Sequence, residues 1–464
     1  MKETNPKWWR GLPSLLLMMI IANIDVLILN DFIVHRFSVR YGLNSTSSEM
    51  AREVCLNESS SSSSSQSTPI SNQVQSSTAR LNVYIYLAAT VPAILTSIVV
   101  GSNCDRIGRK SLIALPFIGK SLRYALLFFS DYYNLPDWCL ILSVMFDGLC
   151  GAQSLCILGA FAYVADCTTP ATRTPATIIT NISIATSRIL PLVTLGFYLQ
   201  THRYVLPISI AWGLSVFGFL FTLIFQPESR VDSRELNIFQ QLKKIKLDPI
   251  KNILTVYLVK REGNKQRRLL INVGTHLGFI VMLCGHVSVF FLYLYGSPFC
   301  FDSFRVGIIT VVQIGTAVCL TIPFTLTIAK KTDSLFIPIL GCLSYMAQFI
   351  LLGFAEEIWL LYLAVCIGAI FFVTSPVIRS RISKLVEPNE YAVVFILASI
   401  FESAGYYAIS AGSNEIYRLS IYFDSGFIFF ILAFVGLLPL FLMIYLYFIE
   451  HRKHSPEKNT LINE

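Results

Sequence analysis

Eight charged or titratable residues lie within stretches that are otherwise apolar: Asp25, Lys120, Arg123, Asp147, Arg188, His286, Arg379 and Glu402. A charge at the centre of a bilayer costs about 2.5 kcal/mol or more, so one that is kept there implies a task. Asp25, Asp147 and Glu402 can carry a proton, and His286 can titrate near neutrality. Lys120, Arg123, Arg188 and Arg379 can attract an anionic group. Lys120 and Arg123 are three apart and share a helix face. The turn after their segment centres near residue 134, which puts Arg123 and Asp147 at similar depth, so an ion pair is expected between them. Tyr293, Tyr295, Tyr406 and Tyr407 are candidates for stacking a planar solute. No nucleophile–base or metal-ligand spacing appears. The chemistry expected is therefore binding of protons and of an organic anion, without cofactor or metal, rather than an enzyme's.

The elements that hold these residues follow from composition. The chain has 464 residues, 54% hydrophobic and only 14% charged, with a mean hydropathy of +0.62. Soluble domains carry about 25% charged residues. This excludes a soluble enzyme, a disordered scaffold and a nucleic-acid binder. A bilayer core needs about 20 apolar residues in helix. Twelve such blocks occur, near 11–34, 81–100, 111–130, 138–163, 175–199, 205–226, 269–295, 306–329, 335–354, 358–380, 391–412 and 424–448. A lone strand leaves its backbone unsatisfied in lipid, so all twelve are expected to be helices. The organisation is thus an N-terminal six-helix bundle over 1–226, a basic linker over 227–268, a C-terminal six-helix bundle over 269–448 and a polar tail over 449–464.

Placing the N-terminus in the cytosol puts most of the 36 Lys and Arg residues in inner segments. The outer loops then hold only Arg36, Arg40, Arg52, Arg80, Arg203, Arg305 and Arg418. This is the positive-inside bias, with both termini cytosolic. The net charge of +8 is read as that bias and not as a nucleic-acid footprint. The middle linker is expected to touch anionic lipid headgroups through the same charge. The outer loop 35–80 includes the serine run 59–65 and two N-glycan sequons, at Asn44 and Asn57. Of the eleven cysteines, only Cys55 and Cys300 fall clearly in outer loops, where a disulfide persists. They are expected to pair and tie the two halves together, the other nine remaining free.

Between the second and third blocks runs Gly101-Ser102-Asn103-Cys104-Asp105-Arg106-Ile107-Gly108-Arg109-Lys110. This resembles the G-x-x-x-D-R-x-G-R-[RK] signature of the major facilitator superfamily. Gly101 and Gly108 allow the tight turn, and Arg109 is placed to find an acid on a neighbouring helix. Asp166 and Arg173, in the next inner loop, are expected in the same charge cluster. Lys330-Lys331-Thr332-Asp333 is a degenerate echo in the second half.

Three further stretches are similar to the proton-coupled folate transporter family, solute carrier family 46. They are Phe161-Ala162-Tyr163-Val164-Ala165-Asp166 with Arg173-Thr174, then Ser297-Pro298-Phe299-Cys300-Phe301-Asp302-Ser303, and Ser375 to Val386. The segment Phe401-Glu402-Ser403-Ala404-Gly405 looks more like the lysosomal branch than the folate carrier. The resemblance supports the Cys55–Cys300 pairing and marks Arg379 as the retained helix 10 arginine. The folate carrier's coupling glutamate and histidine fall on Asn181 and Leu283, with His286 one turn on. The resemblance implies a twelve-helix symporter that moves protons with a folate-like compound, a muramyl peptide, a cyclic dinucleotide or a steroid conjugate. A drug–proton antiporter shares the signature, and a non-transporting membrane receptor is the reading from another class.

The tail carries Glu457 with Leu461-Ile462, an acidic dileucine pattern that clathrin adaptors read. It favours an endolysosomal over a plasma membrane. Non-reducing peptide mapping is expected to recover Cys55 and Cys300 in one linked peptide. Finding both thiols open to alkylation without reduction would exclude the pairing.

Overall fold

The computed structural model describes residues 7–42, 70–169, 176, 179–180, 182–199, 201, 203–230, 240, 264–327, 335–386 and 391–460. Among them every regular element is helical. The N-terminal bundle holds α1 (Leu12–Arg40), α2 (Ile70–Ser102), α3 (Arg109–Tyr132), α4 in two segments (Trp138–Leu149 and Ala152–Cys167), α5 (Ile182–Leu199) and α6 (Val205–Phe225). The C-terminal bundle holds α7 (Lys265–Tyr295), α8 (Ser303–Thr327), α9 (Phe336–Gly353) and the segmented α10 (Ile358–Ile367, Gly368–Val373, Thr374–Leu385). It ends with α11 (Tyr391–Ser420) and α12 (Phe427–Val435, Leu437–Thr460). Eleven helices are long and apolar enough to cross a membrane, and the 30-residue α11 brings the long helices to twelve.

Two expected boundaries move. The segment 70–80, read as loop because it is rich in Ser, Gln and Thr, is the first three turns of α2. It is polar yet packed, with Gln75, Ser76 and Thr78 buried, so a hydropathy window misses it. The polar tail is likewise helical as far as Thr460, where α12 runs past its apolar segment. Asn44, Cys55, Asn57, Arg173, Asn181, Lys330, Lys331, Asp333, Leu461 and Ile462 lie outside the described residues, as does most of the linker. Cys300 takes part in a disulfide, and the nine cysteines other than Cys55 and Cys300 are free thiols.

The helices alternate in direction. Lys7, the 103–108 turn, Asp166, Glu228 and the start of α7 therefore share one side of the molecule, called here the N-terminal side. Across the seam between bundles, α2 packs along α11 and α5 along α8. At the α5–α8 crossing, a Cβ added at Gly307 would sit 2.5 Å from the Leu192 carbonyl oxygen, so the backbones touch on the far side. Buried apolar side chains of both bundles merge into one core. A small second core of Val100, Cys104, Ile107, Leu112, Leu155 and Leu158 packs around the 103–108 turn. Gly108 has φ +93°, a conformation that L side chains rarely adopt, and it lets α3 start directly after that turn.

Within the N-terminal bundle α3 lies close to the break in α4. A Cβ at Gly119 would meet Cys150 Cβ at 2.6 Å and the Phe146 carbonyl at 3.1 Å. Gly213 on α6 has nothing within 4 Å of its Cβ position. Gly119→Val is expected to cost about 1–3 kcal/mol by overpacking. It should lower the thermal midpoint of the detergent-solubilised protein, while Gly213→Val leaves it near the parent value.

Candidate functional site

Residues at equal distance from helix ends meet, because each residue advances the chain about 1.5 Å. Asp25 on α1, Lys120 and Arg123 on α3 and Asp147 on α4 come together inside the N-terminal bundle. Lys120 Nζ donates to Asp25 Oδ2 at 2.9 Å and to Asp147 Oδ2 at 2.7 Å. Arg123 lies 3.0 Å from Asp25 Oδ1 and donates to Asp147 Oδ2 at 3.3 Å. All four are buried, none more than 5% exposed. The expected Arg123–Asp147 pair is therefore half of a closed tetrad, two cations against two carboxylates. Lys120 and Arg123 were expected to bind substrate and Asp25 and Asp147 to carry protons. In this conformation each is held by the others.

A second set lies in the C-terminal bundle. His276 is the twelfth residue of α7 and Glu402 the twelfth of α11, and both helices start on the N-terminal side. His276 Nε2 lies 3.0 Å from Glu402 Oε1, and Arg379 Nη2 on α10 donates to the same oxygen. The Glu402 and Arg379 side chains keep 25% and 28% of their surface exposed, unlike the sealed tetrad. His276 is buried, and among the described residues its Nδ1 has no hydrogen-bond partner. With Nε2–H donating to the carboxylate, Nδ1 presents a lone pair. The sequence reading missed His276 because it followed the position of the family's histidine. Its depth, matched to Glu402, was the available signal.

His286, the expected coupling histidine, is elsewhere. Its Nδ1 meets Tyr345 Oη at 2.9 Å, its Nε2 approaches Gln348, and Phe290, Phe349 and Phe429 surround the ring. An exposure of only 2% and a partner on each nitrogen make it a packing residue here. Tyr293 is also structural. It donates to the carbonyls of Leu352 and Ala355, and its ring packs on Phe299 and Phe429.

Arg188 on α5 stands apart from both sets. It is half-buried, and among the described residues no carboxylate lies within 4 Å of it. It is in electrostatic range of Tyr406 and Tyr345, on the other bundle. Tyr406 lies one turn beyond Glu402 on α11 and packs edge-to-face on Tyr86 of α2 at 6.1 Å and on Tyr407 at 5.3 Å. A cation lined by tyrosines at the seam can hold an anion on an aromatic body.

The motif loop builds a third set on the N-terminal side. Arg109 Nε donates to Asp166 Oδ2 at 2.9 Å, as its position anticipated. Glu228, just past α6, accepts from the backbone N–H of Arg109 at 2.8 Å and of Lys110 at 3.1 Å. A carboxylate there satisfies the open N–H groups of α3 and complements its dipole. The Asp105 side chain lies outside the described ones, as does that of Glu457. Arg381 grips Glu450 of α12 at 2.9 and 3.0 Å.

The profile of the Major Facilitator Superfamily matches residues 42–410. The chain is 25% identical over 384 residues to the lysosomal proton-coupled steroid conjugate and bile acid symporter of Gallus gallus, covering 80% of each chain. It is 23% identical over 427 residues to the proton-coupled folate transporter of Bos taurus, covering 92% of this chain and 89% of that one. The crystal structure of the human organic anion transporter MFSD10 superposes with a TM-score of 0.65 at 15% identity, covering 94% of this chain and 100% of that one. These relatives are transporters and not enzymes.

Removing one member of a buried charge set leaves its partner uncompensated, at about 3–5 kcal/mol. Lys120→Met is expected to lower the folded yield and the thermal midpoint sharply. Lys120→Met with Asp147→Asn should recover much of the loss, measured by thermal melts of both variants.

Proposed function

Because the chain belongs to the major facilitator superfamily, we propose that it is a proton-coupled symporter carrying a ring-bearing organic anion toward the cytosol. The observation that carries the proposal is the leftover charge. The tetrad neutralises itself, and Arg379 is neutralised by Glu402, but among the described residues no carboxylate lies within 4 Å of Arg188. A solute with one negative charge supplies what is missing. Tyr86, Tyr406 and Tyr407 offer ring faces and hydroxyls to its body. Steroid conjugates and bile acids, which the Gallus gallus relative carries by its name, fit that chemistry better than folate. The folate carrier's coupling residues are Asn181 and Leu283 in this chain.

Coupling then runs through Glu402. While ionised, it holds Arg379. A proton on Glu402 frees Arg379, and a second cation becomes available to the anion near Arg188, which is in electrostatic range of Tyr406, one helical turn from Glu402. Each ligand thereby favours the other's binding, a reciprocal free energy. Loss of the anion returns Arg379 to Glu402 and expels the proton from its carboxyl. One pH unit supplies about 1.4 kcal/mol per proton. With the N-terminal side cytosolic, an acidic far compartment drives solute inward to the cytosol. The lysosomal relative and the pattern at Glu457, Leu461 and Ile462 favour an endolysosomal membrane, with the tail open to clathrin adaptors and Asn44 and Asn57 glycosylated on the lumenal side.

Proteoliposomes test this with a panel of steroid sulfates, bile acids, folates, muramyl peptides and cyclic dinucleotides. Uptake of an anionic steroid conjugate is expected to follow an imposed proton gradient. Glu402→Gln should abolish the response to pH while leaving anion exchange. Arg188→Ala should raise KM at least about tenfold, the loss of one charge-assisted contact. Uptake indifferent to the gradient in the parent protein would refute coupling.

A further inference from the structure

The far side of the seam is closed by polar groups as well as by apolar packing. Asp31 on α1 is 6% exposed, six residues beyond Asp25 and toward the far side. Its Oδ2 accepts from Tyr204 Oη, at the entrance to α6, at 2.6 Å. Its Oδ1 accepts from Ser303 Oγ, the first residue of α8. The Tyr295 hydroxyl at the end of α7 lies 3.2 Å from Ser303 Oγ and can donate to it, since that oxygen's own hydrogen is used on Asp31. Asp31 and Tyr204 belong to the N-terminal bundle, Ser303 and Tyr295 to the C-terminal one. A second cross-bundle bond lies at the same level, with Tyr417 Oη of α11 donating to Gln75 Oε1 of α2 at 2.6 Å. Gln75 also fills the space where Gly296 would carry a Cβ.

We propose that Asp31 is the far-side latch of the transport cycle, a positioning residue whose carboxylate, oriented by Tyr204, holds Ser303 and Tyr295 of the opposite bundle when that side is shut. Three features carry this. A carboxylate makes stronger hydrogen bonds than a neutral group, about twice as strong, so one residue can bias a rigid-body equilibrium. Three of the four residues, Tyr204, Ser303 and Tyr295, sit at helix ends, where rocking of one bundle against the other separates atoms most. Ser303 also lies at the α5–α8 contact, where a Cβ at Gly196 would be 3.0 Å from its carbonyl oxygen. Breaking the latch therefore releases the close α5–α8 crossing with it. The latch is distinct from the Glu402 site. It sets how often the far side opens, not which solute binds.

The inference rests on the alternating-access reading, and its test uses neither solute nor proton gradient, so the two can fail separately. Spin-labelled unnatural residues at Tyr133 and Glu357, exposed on the far-side turns of the two bundles, report the far-side separation by double electron–electron resonance. In the parent protein one short distance population is expected. Asp31→Asn should shift the ratio of open to closed populations toward open by about tenfold, the scale of one charged hydrogen bond. Ser303→Ala should shift it the same way by less. Ser425→Ala, which removes a hydrogen bond inside the C-terminal bundle, should leave the parent distribution. If Asp31→Asn does not fold, Ser303→Ala and Tyr204→Phe carry the test. A parent-like distribution in folded latch variants would overturn the proposal, as would an equal shift in Ser425→Ala.

Discussion

The constraint on which this structure depends is that charge inside a membrane protein must be neutralised locally. Each buried ion lacks the solvent that would screen it, so its partners are chosen by position and not by chance. The tetrad of the N-terminal bundle meets the constraint within itself. Lys120 and Arg123, three apart on α3, face Asp25 and Asp147 from the helices on either side. Two like charges on one helix face are tolerable only because two carboxylates bracket them. The close passage of Gly119 to the α4 break brings Asp147 within reach.

The C-terminal bundle meets the same constraint loosely. Glu402 has two basic partners, His276 and Arg379, that compete for one carboxylate oxygen. The set is partly solvated, so its members can exchange partners without the full cost of burying an ion. That asymmetry divides labour between the halves. In the mechanism proposed, the tetrad keeps the N-terminal bundle a rigid body, and the Glu402 set supplies a group whose charge can change. Rigidity on one side of the seam is what converts a local change on the other into rocking.

Much of this was legible in the sequence. Twelve apolar blocks, their division by the basic linker and the motif from Gly101 to Lys110 specify the fold, because hydropathy and turn chemistry are local properties. Asp25, Lys120, Arg123, Asp147, Arg379 and Glu402 were visible as charges in apolar runs. What the sequence hid was partnership. Asp31 and His276 are no odder in composition than His286, yet two of them bridge helices far apart in the chain and the third is packed among aromatic rings. The start of α2 was hidden for the opposite reason. Its polar residues read as loop, but Gln75 and Thr78 are buried against other helices, where tertiary contacts outweigh hydropathy.

The placement of hydroxyls completes the argument. On the far side the seam is joined by Ser303 and Tyr417, whose partners across it are a carboxylate and an amide, while Tyr204 and Tyr295 support the first bond from within each bundle. Such bonds are directional and short-ranged, so they are strong when the bundles meet and vanish when they part. An ion pair across the same gap would retain attraction at a distance, because Coulomb energy falls only as the reciprocal of separation. Hydroxyl contacts therefore suit a surface that must close firmly and open fully. Ion pairs suit the interiors of the bundles, where rocking of one bundle against the other does not part the helices. The tetrad inside one bundle, the Arg109–Asp166 pair at its N-terminal side and the Arg381–Glu450 pair inside the other all follow that division.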